Sequence, residues 1–550
     1  MRTMGLASAG MMALLLAVPA AALPKDFKAQ ADAIVAASAA ADGPGIQVAV
    51  SEHARIVYTA ERGMADIAAR RPITVATEFR IGSITKQFAS AVLLQMVAEG
   101  KVALDDPLAK FLPTFLGGKG ITVRQLLNHT SGIQSYTDIP GWMVVANTAR
   151  PYSTEQLIAV FKDLPPVKKP GEAWSYNNSG YVLVGAIIEA VAKRPWHEEV
   201  ARRLAGPNRL ASIRYGKDPA VGPAMATGYA GADAKAPVGQ AIDMSVPAAA
   251  GALVGTASDL TRWDDALHRG KVLTAPIYAQ MIAPTRMPDG STAPYGFGLI
   301  PGKVRGLASV GHSGGIFGFL SDTLYLSGPD ISVAVLVNSD EPQSGPGAVS
   351  RKLAALAAGK PYPVFTPQPL DKAAVEPFLG TYTLRGEDRV LKVEKDELIW
   401  QRTDGRTTLI PVGDGRYTMG KAGLSWIVLS RDAAGKPQVA LFDDGENIDG
   451  TLARTGPVPV EAAAVDVPAA TLARYVGTYT APTGRVTVAQ GTSGLTVQLT
   501  GQPALALRPV STTEFAVEKV EARVRFVEEG GRIVRLEIVQ GGQTLPATRD

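Results

Sequence analysis

The sequence predicts an α+β unit of about 340 residues followed by two all-β units, and three observations carry that prediction. Runs with helical apolar spacing mix with short strand-like runs up to residue 360. A proline-rich stretch then precedes turn-bounded alternating runs, which read as strands. The tail, finally, repeats itself at fixed spacing.

Taken in order, the first residues are MRTMGLASAGMMALLLAVPAAALPKD. Arg2, a short apolar stretch from Met11 to Val18 and the small residues Ala20, Ala21 and Ala22 form the pattern of a cleavable signal peptide over 1–22. The stretch falls short of the ~20 apolar residues that span a bilayer. A periplasmic or secreted protein with no transmembrane span after signal removal is the expectation. GIQVAVSEHARIVYTAERG reads as two strands joined by a turn, and FRIGSITKQFASAVLLQM opens a helix at Ser83. VRQLLNHTSG, STEQLIAVFKDL and GYVLVGAIIEAVAK carry helical spacing, SDTLYLSGPDISVAVLVNSD reads as a strand hairpin, and SRKLAALAAG reads as a helix. The α+β unit spans residues 23–360 on this reading, and the proline-rich linker spans 361–371.

GKPYPVFTPQPLDKAAVEP holds five prolines in 19 residues, which breaks regular structure and marks that linker. Beyond it, FLGTYTL recurs as YVGTYTA, with Gly380 and Gly477 separated by 97 positions (477 − 380). LIPVGDGRYTM recurs as LRPVSTTEFAV, with Pro411 and Pro509 separated by 98 (509 − 411). Tandem copies over residues 372–457 and 466–550 follow. Each is long enough for a closed antiparallel barrel of about eight short strands, lipocalin-like in form, and closure would hide its edges.

Composition excludes several classes. With 46% apolar and 19% charged residues the chain is globular, and zero cysteines exclude disulfides, thiolate catalysis and cysteine-ligated zinc. The net charge of +4 comes without any basic run longer than a pair, which argues against nucleic acid as a partner.

The chemistry centres on Ser83-Ile84-Thr85-Lys86. One helical turn separates serine from lysine, so both lie on one face at a helix start. A lysine amine kept neutral by its surroundings can take the serine proton, and a helix N-terminus offers N–H groups to an oxyanion. Tyr176-Asn177-Asn178 again precede a helical run. There a phenol can relay a proton and the Asn178 carboxamide can bind a substrate amide. Downstream, His312-Ser313-Gly314-Gly315 reads as a small-residue edge strand along which a peptide-like substrate would lie, with the Gly315 N–H completing an oxyanion hole. His312 either donates to a substrate carboxylate or shapes the strand. His129, in LLNHTSG, reads as fixing the turn after a helix, and Trp142, Trp174 and Trp263 read as core or pocket walls.

S-x-x-K, then Y-x-N about ninety residues on, then a [KH]-x-G strand resembles the penicillin-recognising serine hydrolases. FRIGSITKQF, LLNHTSGI, PGEAWSYNNSGY, AGALVGTASDLTRW and YGFGL are similar to the class C β-lactamase-like branch, over about residues 30 to 360. That branch includes class C β-lactamases, D-alanyl-D-alanine carboxypeptidases, family VIII esterases and D-aminopeptidases. The resemblance implies a β-lactamase/transpeptidase-like fold, a serine acyl-enzyme and no cofactor or metal. It implies catalytic Ser83, Lys86 and Tyr176, with Asn178, His312, Gly314 and Gly315 binding substrate. Histidine in place of lysine in the third motif resembles D-aminopeptidases and some esterases. The two trailing β units also match the D-aminopeptidase layout. In that enzyme a loop of the last barrel brings an acid to the substrate amine, whereas here only EKVEA joins TEFAV to RVRFV.

Two other motifs are set aside. Gly311-His312-Ser313-Gly314-Gly315 fits the G-x-S-x-G elbow, but none of the five histidines follows Ser313, as that triad order requires. His197-Glu198 begins H-E-x-x-H but meets Ala201 where the second ligand belongs. The reading is therefore a serine hydrolase cleaving amides or esters, D-amino-acid-specific by preference, with an esterase, a class C-like β-lactamase, or a non-catalytic peptidoglycan or β-lactam sensor as alternatives. Expected partners are short peptides, D-amino-acid amides or esters and peptidoglycan fragments, and a homo-oligomer is left open.

Overall fold

The computed structural model describes residues 23–550 except 234, 239, 403–404, 460–464, 482–483, 492–493, 501, 519, 521 and 541–542. The signal peptide expected at 1–22 lies outside the described residues. Contacts divide the chain into two compact units, one ending at Tyr362 and one starting at Pro363.

The first unit is built on a six-stranded antiparallel sheet. In chain order its strands are β1 (Ile46–Glu52), β2 (Arg55–Arg62), β3 (Ile300–Val304), β4 (Leu307–Ile316), β5 (Phe319–Leu326) and β6 (Ile331–Val337). Their spatial order is β3-β4-β5-β6-β1-β2, so the first hairpin of the chain completes a sheet made by the last strands of the unit. All seven residues of β6 are buried, as its apolar run ISVAVLV requires of a strand covered on both faces. Helix α1 (Phe27–Ala36) packs with the closing helix Pro346–Ala357, and Ala257–His268 packs against β1, β5 and β6.

Helix α2 (Thr85–Ala98) is apolar nearly all round, the pattern of a helix enclosed by others, and residues 85–94 are all buried. Its register is pinned beside the lysine. Gln87 donates to Thr323 Oγ1 at 2.9 Å and accepts from Trp263 Nε1 at 2.8 Å, while Phe88 stacks on Trp263 at 4.1 Å. Helix α3 (Asn178–Ala192) starts at Asn177, whose side-chain oxygen caps the Gly180 N–H at 2.9 Å. The helix starts that carry Lys86 and Asn178 are thus fixed by buried polar contacts.

The second unit holds two closed eight-stranded antiparallel barrels, one running from Gly380–Leu384 to Glu446–Gly456 and one from Gly477–Ala481 to Gln543–Arg549. The repeated G-T-Y-T stretch has one job in both. Tyr382 donates to the Phe378 carbonyl at 2.5 Å, and Tyr479 donates to the Tyr475 carbonyl at 2.7 Å. An arginine on each closing strand then ties down the segment before the glycine: Arg454 donates to the Leu379 carbonyl at 3.2 Å and Arg549 to the Val476 carbonyl at 2.8 Å. Each interior is filled by its own apolar cluster, centred on Tyr382, Leu391 and Trp400 in the first and on Tyr479, Phe515 and Phe526 in the second.

Candidate active site

Ser83 sits in a single 3-10 turn, Gly82–Ile84, that runs directly into α2. Gly82 has φ +51, and a Cβ on it would lie 2.7 Å from the Gly315 nitrogen. Glycine at 82 therefore lets the serine turn press against β4. Ser83 is partly exposed, whereas Lys86 is fully buried.

The Lys86 side-chain nitrogen has three neighbours. Nζ lies 3.0 Å from Ser83 Oγ, 2.9 Å from Asn178 Oδ1 and 2.8 Å from the Ala250 carbonyl. Burial depresses the Lys86 amine well below the ordinary lysine value, and no carboxylate pairs with it among the described residues. A neutral amine has two N–H donors and one lone pair. The two carbonyl-type oxygens can only accept, so they take both donors. The lone pair is left for the Ser83 hydroxyl proton.

Tyr176 closes the other side. Its ring lies under Lys86 Nζ at 4.8 Å, and its hydroxyl is hydrogen-bonded with Ser83. Burial pushes the phenol above its ordinary value, partly offset by that hydrogen bond, so it remains a proton donor at neutral pH. His129 holds the tyrosine's backbone in place, with φ +62 and Nδ1 accepting the Asn177 N–H at 3.1 Å. Its ring packs on Tyr176 at 4.5 Å, as a histidine shaping the turn should. The structure so brings Ser83, Lys86, Tyr176 and Asn178 together from segments about ninety residues apart in sequence.

The third motif differs in detail from its sequence reading. Strand β4 is not a sheet edge throughout, because β3 pairs with it as far as Gly311. Beyond that point, His312 to Ile316 have β5 alone as a strand partner, which leaves the expected open edge. Along this edge Ser313 and Gly315 are exposed while His312 and Gly314 are buried. Gly314 faces inward: a Cβ there would overlap the Ile81 carbonyl oxygen and Ser321 Oγ. Its glycine serves close packing behind the turn that carries Ser83. Gly314→Ala should destabilise the protein by about 1–3 kcal/mol through overpacking and lower activity by moving Ile81 and Ser83, as a melting curve and a rate would report.

His312 has no free ring nitrogen in this arrangement. Nδ1 lies 2.6 Å from the Ser313 carbonyl, which can only accept, so Nδ1 carries the proton and Nε2 accepts from the Tyr295 hydroxyl at 2.9 Å. Burial, then the Lys86 charge, push the imidazole down to about 3. His312 thus faces Tyr295 and its own strand, and it stays neutral in that buried place. The unfolded chain binds a proton near pH 6.5 that the native state refuses until about 3, so His312 contributes stability at neutral pH that is lost as pH falls through that window. Denaturation midpoints measured between pH 7 and 4 should fall with a slope of up to ~1.4 kcal/mol per pH unit from this group, and His312→Gln should flatten it.

Several supporting residues are not evident from motif spacing. Ser135 Oγ accepts the Asn178 N–H at 3.3 Å, Asn178 Nδ2 donates to Thr137 Oγ1 at 3.3 Å, and the Ala250 carbonyl fixes Lys86. Tyr295 belongs to the YGFGL stretch, so a signal for it existed, but its contact with His312 comes from folding.

The comparisons agree with this geometry. The family model described as Beta-lactamase matches residues 31–358, well over half of the chain. A D-aminopeptidase of Cereibacter sphaeroides (strain KD131) is 28% identical over 428 residues, covering 76% of this chain and 77% of its own. Penicillin-binding protein 4* of Bacillus subtilis is 25% identical over 430 residues, covering 72% of this chain and 92% of its own. Among solved structures, the octameric penicillin-binding protein homologue from Pyrococcus abyssi superposes with a TM-score of 0.54 at 24% identity, over 78% of this chain and 99% of that one. By its α+β fold, its S-x-x-K helix start and the span of that family match, the chain belongs to the beta-lactamase family and is a serine hydrolase.

Proposed function

We propose that the protein is an exported D-amino-acid-specific peptidase of the D-aminopeptidase type, working through a Ser83 acyl-enzyme. The observation that carries the mechanism is the buried Lys86 amine 3.0 Å from Ser83 Oγ, with the Asn178 and Ala250 oxygens placed to take its N–H donors. As Ser83 Oγ attacks the scissile carbonyl carbon, Lys86 takes the hydroxyl proton. The Ser83 and Gly315 N–H groups receive the developing oxyanion. Tyr176 passes its proton to the leaving amine and regains one from Lys86, and the C–N bond breaks. Water then hydrolyses the ester with the same groups acting in reverse. Asn178 orients Lys86 and presents its amide to the substrate, while His312 and Gly314 set the edge along which the substrate lies.

The D-aminopeptidase relatives, the histidine in the third motif and the paired barrels support the choice of substrate class. The first 22 residues support export, and D-alanyl peptides from peptidoglycan are the corresponding natural substrates. With one preparation assayed on D- and L-alanine p-nitroanilide, p-nitrophenyl butyrate and nitrocefin, kcat/KM should favour the D-anilide over the L-anilide by at least ~100-fold, roughly 3 kcal/mol of discrimination. Equal rates for the two enantiomers would remove the stereospecific peptidase reading.

A further inference from the structure

Arg80 lies three residues before the proposed nucleophile, on the short strand Phe79–Arg80 that pairs with Leu253–Gly255. It lines a cavity of about 300 Å³, the lower end of the range ligand pockets occupy. The guanidinium sits over the Phe319 ring at 5.8 Å. It makes no hydrogen bond or ion pair among the described residues, although five N–H donors are available to it. The acid whose charge it feels is Asp243, and that carboxylate is already engaged by Lys217 at 3.0 Å and by Ser245 Oγ at 2.6 Å. Arg80 is therefore a largely buried cation without a counter-ion of its own, an arrangement that is costly unless something else supplies the negative charge. Desolvation accordingly lowers its affinity for a proton.

The rest of the cavity wall is mainly apolar, with Met225, Ile242, Phe317 and Phe319 prominent. A guanidinium matches a carboxylate with two parallel hydrogen bonds, and an apolar wall beside it matches an alkyl or aryl body. We propose that this cavity is a binding site for an organic carboxylate, the acid held by Arg80 and its apolar body packed against Phe317, Phe319 and Ile242. Ser83 is at most ~11 Å of extended chain from Arg80, so an acidic arm of a substrate, or an acid product, is within range of the site. The proposal concerns binding and does not depend on which bond Ser83 attacks.

Calorimetric titration of the full-length protein with phenylacetate, phenylacetamide and inorganic phosphate tests it. Phenylacetate should bind at least tenfold more tightly than its neutral amide and more tightly than phosphate. Arg80→Met should remove the preference for acid over amide, and Ile242→Trp, which fills the cavity and leaves the cation, should weaken phenylacetate at least tenfold. Turnover of D-alanine p-nitroanilide, which carries no carboxylate, should persist in both variants. Equal binding of acid and amide, equal binding of phosphate, or phenylacetate binding unchanged by either substitution would overturn the assignment. If Arg80→Met does not fold, the Ile242→Trp titration decides.

Discussion

Ser83→Ala should retain less than ~10⁻⁴ of wild-type kcat/KM on D-alanine p-nitroanilide while melting within about 3 °C of wild type, because removing a nucleophile ends covalent catalysis and leaves the fold intact. The structural half of that expectation rests on the site's surroundings. Ser83 is partly exposed, and its neighbours are held by other contacts: Lys86 by Asn178 and Ala250, Ile81 by Ser321. The loss of one hydroxyl frees the Lys86 lone pair and the Tyr176 hydroxyl, but Lys86 keeps its two contacts to the Asn178 and Ala250 oxygens and no atom is added to the site. Residual activity above a few per cent, in protein of normal melting temperature, would mean that another group attacks the substrate.

Lys86→Met should cost a comparable factor, since a base and the nucleophile it activates act as one unit and their losses do not add. The Ser83→Ala, Lys86→Met double variant should therefore be no slower than either single variant by more than a few-fold. Methionine fills nearly the same volume, so the test avoids the cavity that alanine would leave at a fully buried position. It does strand the Asn178 and Ala250 oxygens without a donor, at about 1–3 kcal/mol each. The pH profile separates the chemistry from that structural effect. In wild type, kcat/KM is fully present where Lys86 is neutral and falls as pH drops through its lowered pKa, so the acid limb should lie well below the ordinary lysine range. The residual activity of Lys86→Met should lack that limb.

How much of this was legible in the sequence depends on what set each feature. The S-x-x-K pair was readable because one turn of helix dictates its geometry, and Tyr176 and Asn178 because a helix start with a capping Asn177 marks where they must stand. The barrels were readable from repetition: FLGTYTL and YVGTYTA carry the tyrosine that bonds back four residues in each copy. The matching arginines, Arg454 and Arg549, went unseen because LARTG and PATRD share little else, and only closure of each barrel brings them to the same carbonyls. Gly314 and His312 show the limit of motif reading. Alternation along β4 turns both inward, so the motif glycine packs against Ile81 and the histidine spends its two nitrogens on Ser313 and Tyr295. Arg80 was visible in FRIGS as a residue, but its missing partner emerges only once Asp243 is seen paired with Lys217.

The central claim is that Ser83 is the group acylated by substrate. Incubating the protein with a fluorophosphonate, digesting it and locating the adduct by mass spectrometry tests this directly. One modification on the peptide containing Ser83, abolished in Ser83→Ala and slowed in Lys86→Met, is the predicted result. An adduct on Ser313, the other serine in a hydrolase-like motif, or no adduct on folded protein, would contradict it.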